Sequence, residues 1–472
     1  MTNPTPLHPP RTAIAPLLWL VSLGIFMQML DSTIVNTALP AMAQSLGESP
    51  LQMQSVVFSY ALAVATFIPA SGWIADRYGT RRTFLGAIVL FTLGSLACAL
   101  SQQLHQLVAS RVLQGIGGAM LLPVGRLAVM RSVSREQFLH AMSFIAIPAL
   151  IGPLLGPTLG GWLVEVASWH WVFLINLPIG VLGLIATLKV MPDHYGTQRQ
   201  RFDIAGYLML AFGMVALSLA LDGISGMGTP QALVMLLAVA GIAALAGYWL
   251  HAINAVAPLF PPSLFKLASF RIGILGNLFS RIGSGAMPLL IPLLLQVGLG
   301  MSPMRAGMLM IPVALAGMVS KQAAVRLVQR FGYRRILMIN TVLVGMAMAS
   351  FVFFSATQPL WLRVLQLAAF GAVNSMQFTV MNTVTLHDLG SEQASSGNSL
   401  LSMVMMLATG FGAAAAGSLL ATFDMHLAGH SATAALHATF VCVGAITLTS
   451  TLVFWQLPAS LPVPEIVDEV PE

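Results

Sequence analysis

The chain has 472 residues, 57% of them hydrophobic and only 8% charged, with a mean hydropathy of +0.85. A soluble domain carries about 25% charged residues, so this chain cannot clothe itself in water and reads as an all-α integral membrane protein. Its net charge of +6 would suit nucleic acid taken alone, but the placement of the basic residues gives it another origin.

A span needs about 20 mainly apolar residues. In chain order, spans are predicted near 13–38, 51–73, 83–101, 105–129, 138–164, 170–190, 204–222, 231–252, 270–297, 303–324, 335–355, 360–385, 395–421 and 436–457, about fourteen in all. The first apolar run has no A-x-A-type cleavage site and is long enough to cross, so it reads as the first helix rather than a removable leader. With the N-terminus in the cytoplasm, fifteen Lys and Arg residues fall on the cytoplasmic side and two, Arg305 and Arg363, on the other. That is the positive-inside pattern of a multi-pass protein in a bacterial inner membrane. It accounts for the pI of about 9.7 without a nucleic-acid partner, and it places both termini in the cytoplasm. Cys98 and Cys442 lie in apolar runs and read as small buried hydrophobes; no metal site and no cofactor are expected.

The chain repeats itself. Arg111-Val112-Leu113-Gln114 returns as Arg363-Val364-Leu365-Gln366, an offset of 252, and Arg77-Tyr78-Gly79-Thr80-Arg81-Arg82 is echoed by Arg330-Phe331-Gly332-Tyr333-Arg334-Arg335, an offset of 253. Six short-looped helices use roughly 190 residues, so the offset leaves room for two more. The predicted organisation is a six-helix bundle over 1–192, two linking transmembrane helices over 193–258, a second six-helix bundle over 259–458 and a cytoplasmic tail over 459–472. Transporter repeats of this kind place the substrate site near the bilayer midplane, between the halves.

Four stretches carry chemistry. Gly72-Trp73-Ile74-Ala75-Asp76-Arg77-Tyr78-Gly79-Thr80-Arg81-Arg82 joins the second and third spans; a tight turn explains its glycines and anchoring arginines but not Asp76. In the echo, Val325 and Gln329 stand where Gly72 and Asp76 would be. In the fifth span, Gly152, Gly156 and Gly160 recur every fourth residue and form a smooth ridge for close helix approach, with Gly161 beside them and Pro153 and Pro157 bending the helix. Arg111 sits in the outer part of the fourth span, where a buried cation needs a partner or a wet cavity. Asp31 lies in the outer half of the first span at a similar depth, so the two can pair, and Gln28 shares the face of Asp31.

Together these stretches resemble the major facilitator superfamily: its G-x-x-x-D-R-x-G loop, its R-x-x-Q-G-x-G-G-A run over 111–119, and its antiporter motif over 152–161. LDSTIVNTALP at 30–40 resembles the first helix of the fourteen-helix drug:proton antiporters of that superfamily. The resemblance implies the major facilitator fold and a monomer that exports small organic compounds by alternating access, driven by the proton motive force. It further implies gating by Gly72, Asp76, Arg77, Gly79 and Arg82, with Arg111 in proton transfer. A carboxylate whose surroundings change between states can load and release a proton, so Asp31 is expected to carry it and Arg111 to tune it.

The cavity reads as basic. Arg281, near the middle of the ninth span, maps beside Asp31 in the repeat; it either binds substrate or pairs with Asp31. Gln366, Asn374 and Gln377 share roughly one face of the twelfth span and, with Gln28 and Gln114, give an amide-lined cavity that suits an anionic or neutral substrate. An exporter of organic anions, or a non-transporting sensor, is the alternative reading. No G-x-x-x-x-G-K phosphate loop, H-E-x-x-H or G-x-S-x-G occurs, so neither an ATP-driven pump nor an intramembrane enzyme is expected.

Overall fold

The computed structural model describes residues 14–48, 53–196, 201–225, 230–301, 303–426 and 432–458. Among them, fourteen helices long enough to cross a bilayer follow in order: α1 Ala15–Leu46, α2 Ser55–Tyr78, α3 Thr80–Ala99, α4 Leu104–Met130, α5 Arg135–Val166, α6 Trp171–Val190 and α7 Ile204–Ser225. Then come α8 Gln231–Asn254, α9 Ala268–Gly298, α10 303–331, α11 333–353, α12 Leu360–Leu386, α13 Ala394–His426 and α14 Ala432–Trp455. They correspond one for one to the predicted spans, because only a helix satisfies every backbone group inside an apolar slab.

The ends differ in places. Helix α1 runs through Pro40 to Leu46, well past the predicted end at 38, and stops where Gly47 turns left-handed (φ 69°) and returns its N–H to the Ala43 carbonyl. Pro69 breaks α2 into two arms through a short tight turn at Ile68–Ala70. Helix α10 continues to residue 331, where Gly332 (φ 80°, ψ 161°) redirects the chain into α11. Gly79 (φ 89°, ψ 150°) makes the same turn between α2 and α3. The weak repeat in the sequence is thus a repeat of backbone conformation as well.

Helices α1–α6 pack on one another, chiefly α1 on α5, α3 on α4, α2 on α4 and α3 on α6; α9–α14 do the same, with α9 on α13 and 303–349 on α12 and α14. Helix α7 touches α2 of one bundle and α13 of the other, and α8 lies outside it. Met235, Leu236, Val239, Ile242 and Leu250 of α8 are exposed, as are Leu182, Ile185 and Phe212, whereas Asp31, Arg111, Arg126, Arg281 and Lys321 are buried. Apolar groups outside and charges inside describe a surface made for lipid.

The two bundles meet along two seams. On one, α5 lies against α10 and α12, and Lys321 Nζ donates to the Ser143 carbonyl at 2.7 Å. On the other, α13 lies against α2 and α4. There Ser71 Oγ and Ser399 Oγ share a hydrogen bond (3.0 Å), and Asn398 Nδ2 donates to the Pro123 carbonyl (2.6 Å). These bonds all lie in the half of the molecule that carries the arginine-rich turns.

Candidate functional site

Asp31 is wholly buried in α1 and receives three side-chain donors from two other helices. Arg111 Nη1 of α4 lies 2.6 Å from Oδ2. Gln114 Nε2, one turn further along α4, donates to Oδ1 at 2.8 Å, and Asn176 Nδ2 of α6 to the same oxygen at 3.0 Å. Ser95 Oγ of α3 accepts from both amides, at 2.6 and 3.2 Å. Arg111 also donates to Gln114 Oε1 (2.6 Å) and to the Val56 carbonyl (3.2 Å), while the Tyr60 ring lies 4.2 Å from its guanidinium carbon. An ion pair so buried survives only when most of its lone pairs and protons are satisfied, and here Asp31 has three donors and Arg111 three acceptors. The pair that matching depths allowed is therefore formed, inside one bundle rather than across the two.

At the arginine-rich end, Asp76 ties α2 to both bundles. Its Oδ1 accepts from Arg131 Nη2 of the same bundle at 2.6 Å, and its Oδ2 accepts from Ser395 Oγ of α13. Gly72 explains the close approach: a Cβ there would lie 2.7 Å from the Ser395 carbonyl oxygen and 2.7 Å from Ser399 Oγ. Behind the Gly79 turn the chain leaving α6 is stitched on, with Thr80 N donating to the His194 carbonyl at 2.9 Å and Arg81 Nε to that of Met191 at 2.5 Å. Arg77 and Arg82 are exposed.

A family profile described as Major Facilitator Superfamily matches residues 21–204 and 273–472, which is most of both bundles. The chain is a member of the major facilitator superfamily. Relatives named "Putative multidrug resistance protein MdtD" are 52% identical in Serratia proteamaculans, covering 94% of this chain and 93% of the relative, and 51% identical in Yersinia enterocolitica, covering 95% and 96%. Among solved structures, the human organic anion transporter MFSD10 superposes with a TM-score of 0.66 at 15% identity, covering 93% of this chain and 99% of that one. The proton:xylose symporter XylE does so with 0.65 at 16%, covering 94% and 95%. The chain is thus a multi-pass membrane transporter of small molecules and not an enzyme.

Within this superfamily fold the glycine ridge of α5 faces α1. A Cβ on Gly152 would meet Met29 Cβ at 2.7 Å and Leu30 N at 2.9 Å; one on Gly156 would meet Ile34 N at 3.0 Å, and one on Gly160 the Ile34 carbonyl at 2.8 Å. The ridge lets α5 ride on the helix that holds Asp31. Gly161 points away and meets nothing within 4 Å. The side chains of Pro153 and Pro157 lie outside the described residues.

Several expected cavity residues lie elsewhere. Asp31 does not face the space between the bundles, and Gln114 belongs to its network, because the carboxylate draws the amide inward. Gln28 is also buried, with Oε1 unpartnered. Gln377 turns to α11, accepting from Asn340 Nδ2 and donating to Thr341 Oγ1, each at 2.8 Å. Gln366 also turns that way, donating to the Ser350 carbonyl at 3.0 Å. The shared face of α12 is real, but it packs inside the second bundle. Asn374 is half-buried. Arg281 does not pair with Asp31: its Nε donates to Asn277 Oδ1 at 3.1 Å and its guanidinium carbon lies 4.4 Å from the Phe378 ring centroid. Ser95, Arg131 and Ser395 are common residue types in unremarkable stretches, and Asn176 lies in the WHWVFLINLPIG run at 169–180, which resembles the superfamily as a stretch without marking that residue. Only Arg131, as a lone cation beside a turn, offered a signal.

Proposed function

We propose that the protein is a proton-coupled antiporter that exports small organic compounds by alternating access, works as a monomer and uses the proton motive force as its only energy source. The arginine-rich end faces the cytoplasm of a bacterial cell, as the positive-inside rule directs, with both termini on that side of the inner membrane. The observation that carries this reading is Asp31: among the described residues it is the one carboxylate buried inside a span. Its relatives are named for multidrug resistance, which supports outward transport of organic compounds.

The geometry supplies a coupling device. A proton arriving at Asp31 Oδ2 removes the charge that holds Arg111 at 2.6 Å. Gln114 and Asn176 can still hydrogen-bond the neutral acid, so the site tolerates both protonation states while Arg111 is released. Because α1 also carries the surface on which the α5 glycine ridge rides, and α5 forms one inter-bundle seam, a change at Asp31 reaches that seam directly. The α2–α13 contact through Asp76 and Ser395 closes the cytoplasmic end in this arrangement, which makes it a state closed to the inside.

The test is transport in proteoliposomes with an imposed ΔpH, with ethidium as cationic and fluorescein as anionic probe, following whichever the parent protein accumulates. Asp31→Asn should give a folded protein that equilibrates the probe but no longer concentrates it in response to ΔpH. Undiminished ΔpH-driven accumulation by that variant would overturn the assignment.

A further inference from the structure

Besides Arg111, three Lys and Arg side chains are buried among the described residues, namely Arg126, Arg281 and Lys321, and none has an acidic partner among those residues. Lys321 is spent on the Ser143 carbonyl. The two arginines are poorly satisfied. Arg126 of α4 reaches Asn398 Oδ1 only at 3.4 Å and otherwise touches the Met405 sulfur at 3.8 and 3.9 Å. Arg281 of α9 makes one hydrogen bond through Nε, and its buried Nη2 makes none.

These two cations come from opposite bundles, Arg126 from α4 and Arg281 from α9. Phe378 of α12 joins their surroundings: it lines the small cavity that Arg126 also lines, and its ring lies under the Arg281 guanidinium. The same cavity is walled by Thr379 and Asn382, whose Oγ1 and Oδ1 are buried without a partner, and by apolar Leu122, Met142 and Ile145. Unpaired buried charge costs several kcal/mol per ion. Arg126 lines the cavity, Arg281 lies behind the Phe378 ring that also lines it, and unused hydrogen-bonding groups stand beside them, an arrangement that an anionic group entering the cavity would satisfy.

We propose that Arg126, Arg281 and Thr379 form the head-group site for an organic anion, with the oxyanion between the two guanidiniums and its apolar body against Phe378, Met142 and Ile145. The cavity is small in this arrangement, so the body enters as the bundles part and is gripped when both arginines close on the head group. The proposal deepens the exporter reading by giving its substrate a sign, and binding is measured without ΔpH so that the two can fail separately.

The probe is fluorescein, a fluorescent organic dianion, titrated against full-length protein in nanodiscs by anisotropy, with p-aminohippurate as competitor and ethidium as cationic counterpart. Arg126→Gln and Arg281→Gln should each weaken fluorescein binding about tenfold or more, the loss of one charge-assisted hydrogen bond. Arg281→Lys should recover part of it, and ethidium should bind no less tightly to either glutamine variant. Both variants should melt no lower than the parent, since each removes an unpaired buried charge. Fluorescein that fails to bind the parent, or binds both glutamine variants as tightly, overturns the site. Arginine-dependent fluorescein binding in a protein that ignores ΔpH leaves the site standing and overturns the antiporter instead.

Discussion

Arg111-Val112-Leu113-Gln114 and Arg363-Val364-Leu365-Gln366 are one tetrapeptide in equivalent places, near the starts of α4 and α12. In the first bundle it turns inward, where Arg111 and Gln114 converge on Asp31. In the second, Arg363 curls back onto the loop before its own helix, bonding the Gln358 carbonyl at 3.0 and 2.7 Å and that of Ala356 at 2.6 Å. Gln366 reaches Gln358 and the Ser350 carbonyl. The position that answers Asp31 at the repeat offset is Gly283, where a Cβ would already lie 3.2 Å from the Val443 carbonyl. One carboxylate therefore decides whether the same four residues build a buried switch or a surface cap. It also concentrates the titrating chemistry in one bundle and leaves the other with an arginine, Arg281, that lacks an acid.

The sharpest way to break this comparison is to remove the arginine from each copy. Arg111→Ala leaves a carboxylate stranded at zero exposure and should cost about 3–5 kcal/mol, read as a large fall in the melting temperature of purified protein. Arg363→Ala removes only bonds from a half-buried side chain to loop carbonyls and should cost under about 1 kcal/mol. Similar losses at both positions would mean that the inward pair contributes no more than the outward cap. The glutamines repeat the contrast on a smaller scale. Gln114→Ala takes one of two amide donors from Asp31 Oδ1 and from the Ser95 hydroxyl, leaving Asn176 on both, at about 1 kcal/mol, and should impair ΔpH-driven transport; Gln366→Ala should leave transport intact.

The turns sharpen it further. Gly79 and Gly332 share a conformation that only glycine adopts comfortably, worth about 1–3 kcal/mol to any other residue. A Cβ at Gly79 would also collide with Asp193 and lie 3.0 Å from the Tyr195 ring, whereas nothing lies within 4 Å of one at Gly332. Gly79→Ala should therefore destabilise clearly more than Gly332→Ala. Equal losses would show that the segment after α6 yields freely.

Much of this was legible in the residues, for physical reasons. Hydropathy and the alternation of arginines count spans because a bilayer imposes both. The Asp31–Arg111 pair followed from depth, since two opposite charges in an apolar slab have few alternatives. What escaped were the neutral partners. Asn176 is 145 residues from Asp31; its run, WHWVFLINLPIG, resembles the superfamily, but an amide does not announce which carboxylate it meets. The amide face of α12 was visible as periodicity, but periodicity does not say which neighbour a face meets, and Gln377 met α11. Arg126 is visible in the sequence as a cation within a span, yet its link to Arg281 through the Phe378 ring is a property of the assembled bundles.

The smallest effect concerns the segment that clothes one turn and has no counterpart at Gly332. His194 Nε2 shares a hydrogen bond with Ser132 Oγ at 3.0 Å, next in sequence to the Arg131 that holds Asp76. Burial, and secondarily the charge of Arg131, hold its imidazole below the usual histidine range, with Asp193 acting the other way. The folded protein thus keeps His194 neutral at a pH where the unfolded chain takes up a proton. Stability from this group is present above about pH 6.5 and is lost as pH falls below that value and through the lower pKa of the folded state. His194→Gln keeps a hydrogen-bonding group without the titration, so its melting temperature should drop less than that of the parent between pH 7.5 and 5.5. Parallel slopes for the two proteins would show that acid reaches the Asp76 latch by some route other than this histidine. A flatter slope for the variant would place a pH-sensitive contact on the one turn that locks the bundles together, and none on its repeat.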